Sequence, residues 1–216
     1  MNFRYEDHLP KLPDDIVAEI YRLIENPIGS YNDADSVYIE KEKQLIAKPD
    51  LQFNSVTKEV LDLYKSTIKD HEDSLGFPIE TCNTHFKNLA KFDFLSVTDL
   101  IEDWIYANID PKPALITIQV IHGGPIIIPH VDEGRSYVYN YLLDTGNAVT
   151  KFYKNSKGNE HLVAYPRTVF TYDRIEEIET IEIEKNRWHY LDVSKIHNVE
   201  NVQSNQKRIS LSLSYV

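Results

Sequence analysis

The chain has 216 residues, 42% hydrophobic and 26% charged, with 34 acidic against 23 basic side chains and a formal net charge of −11. That length and apolar content predict one folded unit with a sizeable core. The acidic balance counts against a broad nucleic-acid-binding surface. Cys82 is the only cysteine, which excludes an intramolecular disulfide and points to a reducing compartment. The first eight residues, Met1 to His8, are polar and lack the apolar stretch of a signal peptide. No apolar run reaches the length of a membrane span, so a cytoplasmic protein with no membrane partner is expected.

Residues 1–13 read as extended, punctuated by Pro10 and Pro13. The spacing of Ile16, Val17, Ile20, Leu23 and Ile24 predicts a helix over Asp14–Glu25. Pro13 and the two following Asp residues suit its start, and Asn26-Pro27 stops it. Residues 26–54 are polar and show no pattern. A second helix is predicted from Val56 to His71, with Val56, Val60, Tyr64 and Ile68 as its stripe. Residues 79–95 are ambiguous between a short strand and a turn. Ser96-Val-Thr-Asp99 resembles a capping box with Asp in place of Glu, opening a helix through Leu100, Ile101, Trp104 and Ile105. The run Asp110 to Pro113 ends that helix. It divides an N-terminal helical and mixed region, 1–113, from a core, 114–216, on which that region is expected to pack within one structural domain.

From Ala114 the period becomes strand-like. Eight strands are predicted: Ala114–Ile121, Ile126–His130, Ser136–Leu143, Ala148–Tyr153, His161–Tyr172, Glu179–Glu184, Trp188–Val193 and Arg208–Tyr215. Turn signals separate most of them, which points to a mainly β fold with N-terminal helices, built as a sandwich or jelly roll.

Within this half, His130-Val-Asp132 sits between two strand-like runs. Residues i and i+2 of an extended segment face the same side, so the imidazole and the carboxylate can converge. Two histidines and one carboxylate on one face are the ligand set of non-haem Fe(II) oxygenases, and His197 supplies a second imidazole downstream. Eleven residues later come Arg208 and Ser210, again i and i+2. A guanidinium beside a hydroxyl makes a clamp for a carboxylate.

The order His-x-Asp, distant His, then Arg-x-Ser resembles the Fe(II)/2-oxoglutarate-dependent dioxygenases over Ala114–Val216, about half the chain. The resemblance implies a double-stranded β-helix (a cupin-like jelly roll) with helices outside. In that fold the His-x-Asp lies at the end of the second core strand, the distal His at the seventh, and the Arg opens the eighth. It implies that His130, Asp132 and His197 hold Fe(II), and that 2-oxoglutarate and O2 serve as co-substrates. Arg208 and Ser210 then take the distal carboxylate. The reaction releases succinate and CO2 as a C–H bond is hydroxylated, the presence of Asp132 favouring hydroxylation over halogenation. The primary substrate is open between a protein side chain and a small metabolite. Small bacterial and viral proteins similar to this family often carry Asn near Asn140, which makes that residue a co-substrate or substrate contact or a satisfied core amide.

Other residues compete for these roles. His122 and His189 are rival ligands, and His161 is expected at the surface. Arg135 is placed either against a substrate carboxylate or in a surface ion pair. Thr117 and Gln119 share a face that lines the barrel or meets water. Two readings from other classes stay open: a non-catalytic metal-binding cupin-like module for binding or sensing, and a structural jelly roll whose triad is accidental. Oligomeric state is not legible.

Overall fold

The computed structural model describes residues 1–29, 92–123, 129–132, 135–156, 162–164, 167–169, 175–203 and 205–216. The helix predicted over Val56–His71, the 30–54 stretch and His161 lie outside them. The strands are β1 (Phe3–Tyr5), β2 (Phe92–Leu95), β3 (Leu115–His122), β4 (His130–Asp132), β5 (Tyr137–Asp144), β6 (Val149–Asn155), β7 (Leu162–Ala164), β8 (Arg167–Val169), β9 (Ile175–Ile181), β10 (Trp188–Leu191), β11 (Ile196–Glu200) and β12 (Lys207–Tyr215). The helices are α1 (Asp14–Glu25) and α2 (Asp99–Asn108).

The strands form two six-stranded sheets, ordered β1-β10-β5-β12-β3-β2 and β7-β8-β4-β11-β6-β9, with every pairing antiparallel. Along the chain, β3, β4, β5 and β6 alternate between the sheets. After β9, so do β10, β11 and β12. Taking β3, β4, β5, β6, β9, β10, β11 and β12 as a core of eight gives a double-stranded β-helix. Strands β1 and β2, from the N-terminal region, extend the edges of the first sheet, and the β7–β8 hairpin extends the second beyond β4.

Several sequence expectations are corrected here. The predicted fifth strand, His161–Tyr172, is represented by β7 and β8, an added edge hairpin rather than a core strand. The segment at Trp188 is the sixth core strand, not the seventh. It lies in the other sheet from His197, and the seventh is β11, which carries His197 itself. The strand placed at Glu179–Glu184 runs instead from Ile175 to Ile181, and its mostly exposed residues, Ile178 among them, give it no apolar alternation to mark its bounds.

The outer face of the first sheet buries the helices. Ile16, Ile20 and Leu23 of α1, and Ile101 and Ile105 of α2, pack against Ile116, Ile118 and Val120 of β3 and Ile209, Leu211 and Leu213 of β12. Strands show this alternation because successive side chains point to opposite faces. Helix α1 matches its predicted span, starts after Pro13 and stops at Asn26. Helix α2 is capped at Thr98, not Ser96, and no side chain satisfies the cap. The Thr98 hydroxyl instead donates to Glu19 Oε1 at 3.0 Å, tying α2 to α1. Trp188 is buried, and its indole N–H donates to the Pro10 carbonyl at 2.8 Å, pinning the N-terminal segment against the sheet.

The space between the sheets is divided. An apolar cluster, Val138, Leu142, Phe152, Ile183, Leu191 and Val193, fills one part. The inward face of β12 is polar (Arg208, Ser210, Ser212 and Ser214, all buried) and alternates with the apolar residues that face the helices. Short hydroxyl side chains on that stripe leave room for a cavity, and the site is there.

Candidate metal centre

Strand pairing brings the three candidate ligands together. His130 stands directly opposite His197 across the β4–β11 pair, and Asp132 lies two residues along β4 on the same face. The two imidazole rings are 4.5 Å apart between centroids. One ligand atom from each of His130, Asp132 and His197 lies within 4.8 Å of the others, and all three residues are buried. His130 Nε2 faces Asp132 Oδ1 at 3.5 Å.

The surroundings orient these groups. His197 Nδ1 is 2.9 Å from the Lys195 carbonyl. Donation to that carbonyl fixes the tautomer and leaves Nε2 as the lone-pair nitrogen, the usual outer-shell arrangement around a metal-binding His. Arg135 lines the cavity, and it is in an ion pair with the buried Asp132. Its Nη2 donates to Asp132 Oδ2 at 2.6 Å, and its Nη1 donates to Ser214 Oγ at 3.2 Å. One carboxylate oxygen is thereby taken, and Oδ1 is the oxygen that faces His130. Two imidazoles and one carboxylate are the donors that suit a divalent first-row metal. The residues therefore fit such an ion.

A cavity of about 60 Å³ opens beside the triad, lined by His130, Asp132 and His197 on one side and by Gln119, Asn140, Arg208 and Ser210 on the other. That is room for about four water-sized spheres. Gln119 thus lies on the barrel side, the first of its two alternatives. Asn140 is buried and faces the cavity.

Arg208 is the most unusual residue of the lining. It is 5% exposed, and its Nη1 donates to Thr150 Oγ1 at 3.1 Å. Burial alone pushes its pKa down, to about 10, with no acidic neighbour contributing. It therefore stays charged at neutral pH, without a carboxylate partner among the described residues. Among the described residues, the charged lining is two guanidinium groups against one carboxylate, in a chain of net charge −11. Thr150 lies two residues along β6 from Phe152, the residue opposite His197. The guanidinium is thus anchored about 7 Å along the strand from the His197 row.

The rival histidines are elsewhere. His122 Nε2 is 2.6 Å from Asp93 Oδ2, away from the triad. His189 is fully buried on β10 in the first sheet. Sequence reasoning missed Thr150 and Ser214, because a lone hydroxyl in a strand carries no signal of what it will meet across the barrel.

No family model matches the sequence, and no curated protein matches it significantly. Among solved structures, the chain is similar to E. coli ycfD at 14% identity and a TM-score of 0.37, covering 58% of this chain and 34% of that one. It is also similar to the capsular polysaccharide assembling protein CapF from Staphylococcus aureus, at 16% identity and a TM-score of 0.28, covering 93% of this chain and 49% of that one. The chain thus spans about a third of the length of ycfD and about half that of CapF. Likenesses this distant carry no weight for chemistry, and the jelly roll is read from the strand order itself. Among the described residues no helix is long and apolar enough to cross a membrane.

Proposed function

We propose that the protein is an Fe(II)- and 2-oxoglutarate-dependent oxygenase that hydroxylates a C–H bond of a protein side chain or small metabolite. The observation that carries this reading is Arg208, a buried cation without an acidic partner among the described residues, facing the same cavity as the His/Asp/His cluster. Burying an unpaired charge costs several kcal/mol unless something offsets it. A ligand carboxylate is the natural counter-ion. A metal-only cupin-like module has no use for such a residue, which favours the oxygenase over that alternative.

In this reading His130, Asp132 and His197 hold the iron, which when bound supplies the O2-activating chemistry. The remaining work belongs to the chain. Arg208, held by Thr150, pairs with the distal carboxylate of 2-oxoglutarate, and the Ser210 hydroxyl assists. Arg135 occupies Asp132 Oδ2 and holds that carboxylate with Oδ1 toward His130. The apolar cluster between the sheets excludes water from one side of the cavity and strengthens each of these contacts. The two guanidinium groups favour an anionic co-substrate over a neutral one.

The test is conversion of 2-oxoglutarate to succinate with Fe(II) and O2. Turnover should require both and disappear in His130→Ala and Asp132→Ala. Metal-bound protein that never consumes 2-oxoglutarate, with any candidate substrate or none, contradicts the reading.

A further inference from the structure

The cavity is lined differently on its two sides. Strand β12 runs through the middle of the first sheet, with β5 and β10 on one side of it and β3 and β2 on the other. On the β5 side, Val138, Leu142, Phe152 and Leu191 pack into one buried cluster. On the other side, β2 and β3 give the lining three side chains, Phe94, Gln119 and Ile121. Phe94 and Ile121 belong to an apolar cluster with Ala148 and Val202. Gln119 is the polar member of the three. It is directly opposite Phe94 across the β2–β3 pair and directly opposite Ser210 across the β3–β12 pair. Opposed residues on one face have Cβ atoms about 4.5–5.5 Å apart. Gln119 therefore stands between an apolar wall and the polar stripe of β12.

Gln119 is half-buried, and its side-chain amide makes no hydrogen bond to another described residue. That amide carries an acceptor oxygen and an NH2 donor. A carboxylate offers acceptors alone and leaves Gln119 Oε1 unmatched, and an ammonium offers donors alone. A peptide-type amide offers one of each and matches both ends. The charged groups of the lining are engaged elsewhere. Arg135 is paired with Asp132, and Arg208 is held by Thr150. Arg208 lies opposite Ile121, one same-face step along the strands from the Gln119–Ser210 pair. A distal carboxylate at Arg208 is thus beside Gln119, not on it.

We propose that Gln119 is a specificity-determining residue that pairs with an uncharged amide of the primary substrate, with Phe94 as the apolar wall for the carbon chain beside that amide. This rests on the oxygenase reading above and adds to it the chemistry of the substrate. The substrate approaches the metal ligands from the β2–β3 side, because apolar packing occupies the β5 side. Its amide N–H donates to Gln119 Oε1, and its carbonyl accepts from the Gln119 NH2. A site built in this way discriminates against an analogue that lacks the N–H, because the acceptor of Gln119 is then left unpaired.

The probe is N-methylacetamide, a minimal peptide-type amide, and the control is butanone, which has the same shape without the N–H. The experiment follows the NMR relaxation of their methyl protons with the full chain loaded with Mn(II) and 2-oxoglutarate, where approach to the paramagnetic ion speeds relaxation. N-methylacetamide should relax faster than butanone at equal concentration. Gln119→Val should cut that enhancement about fivefold, the scale of one neutral hydrogen bond. The same variant should keep its 2-oxoglutarate affinity, measured by calorimetry. Gln119→Asn, shorter by one methylene, should lose less, and it takes the place of Gln119→Val where that variant does not fold. Equal relaxation of the amide and the ketone, or an enhancement unchanged in both variants, overturns the inference and leaves the oxygenase reading standing. A matching loss of 2-oxoglutarate affinity in Gln119→Val also overturns it, by placing Gln119 on the co-substrate. No 2-oxoglutarate binding by the metal-loaded unmodified chain overturns both.

Discussion

Arg135 Nη2 donates to Asp132 Oδ2 across 2.6 Å, while its Nη1 reaches Ser214 on the opposite sheet. One guanidinium thus bridges the two halves of the barrel and fixes a candidate metal ligand in a single orientation. Outer-shell partners of this kind commonly contribute 10–100-fold to metal affinity. Arg135→Gln should weaken Fe(II) or Co(II) binding by about tenfold without unfolding the chain. Arg135→Lys, which keeps the charge but loses the fork, should fall between. Metal titration followed by intrinsic fluorescence reads both, and unchanged affinity in Arg135→Gln would show that the bridge does not position Asp132.

His189 makes stability depend on pH. Its folded pKa is lowered, to about 3, first by burial and then by Arg208, against about 6.5 in the unfolded chain. The unfolded state therefore binds a proton that the folded state refuses. Between those two values stability rises with pH and is lost as pH falls, by up to about 1.4 kcal/mol per pH unit from this group. Denaturant titrations from pH 7 to pH 4 should show His189→Gln losing less stability than the unmodified chain. Parallel curves would mean that the imidazole is not held neutral.

The helices are fastened to the core through the face of β12 opposite the cavity. Leu213 is completely buried there, against α1 and α2. Leu213→Ala should cost roughly 2–5 kcal/mol, seen as a lower denaturation midpoint with an unchanged slope. Metal affinity should survive, because Ser210, which lines the cavity, and Ser214, which accepts from Arg135, lie on the other face of β12 from Leu213. A loss of metal binding at full stability would show that the two faces of β12 are not separable in this way.

Much of the site was legible because its chemistry is tied to strand geometry. His130 with Asp132, and Arg208 with Ser210, are i, i+2 pairs, and a strand puts each pair on one side whatever the rest of the fold does. Strand β11 was not legible, for a physical reason. It buries His197 and Asn198, both polar, so the apolar alternation that marks a strand is missing where the strand carries the site. Gln119 was legible only as one of two alternatives, because what it meets depends on Phe94 and Ser210, 25 and 91 residues away in sequence. The count of eight core strands agreed between sequence and structure only because an edge hairpin was counted in place of β11. Helix α1 was readable to the residue, since Pro13, its apolar stripe and Asn26-Pro27 are all local signals.

The central claim is that the His/Asp/His cluster and Arg208 are two ends of one ligand site. Anaerobic calorimetry tests it most directly, titrating 2-oxoglutarate into the chain with and without Fe(II), and then into Arg208→Met and His130→Ala. The expected result is binding that needs the metal and is lost in both variants, with Arg208→Met still taking up iron. Binding of 2-oxoglutarate that survives in Arg208→Met, or metal uptake with no 2-oxoglutarate binding in the unmodified chain, would contradict the claim.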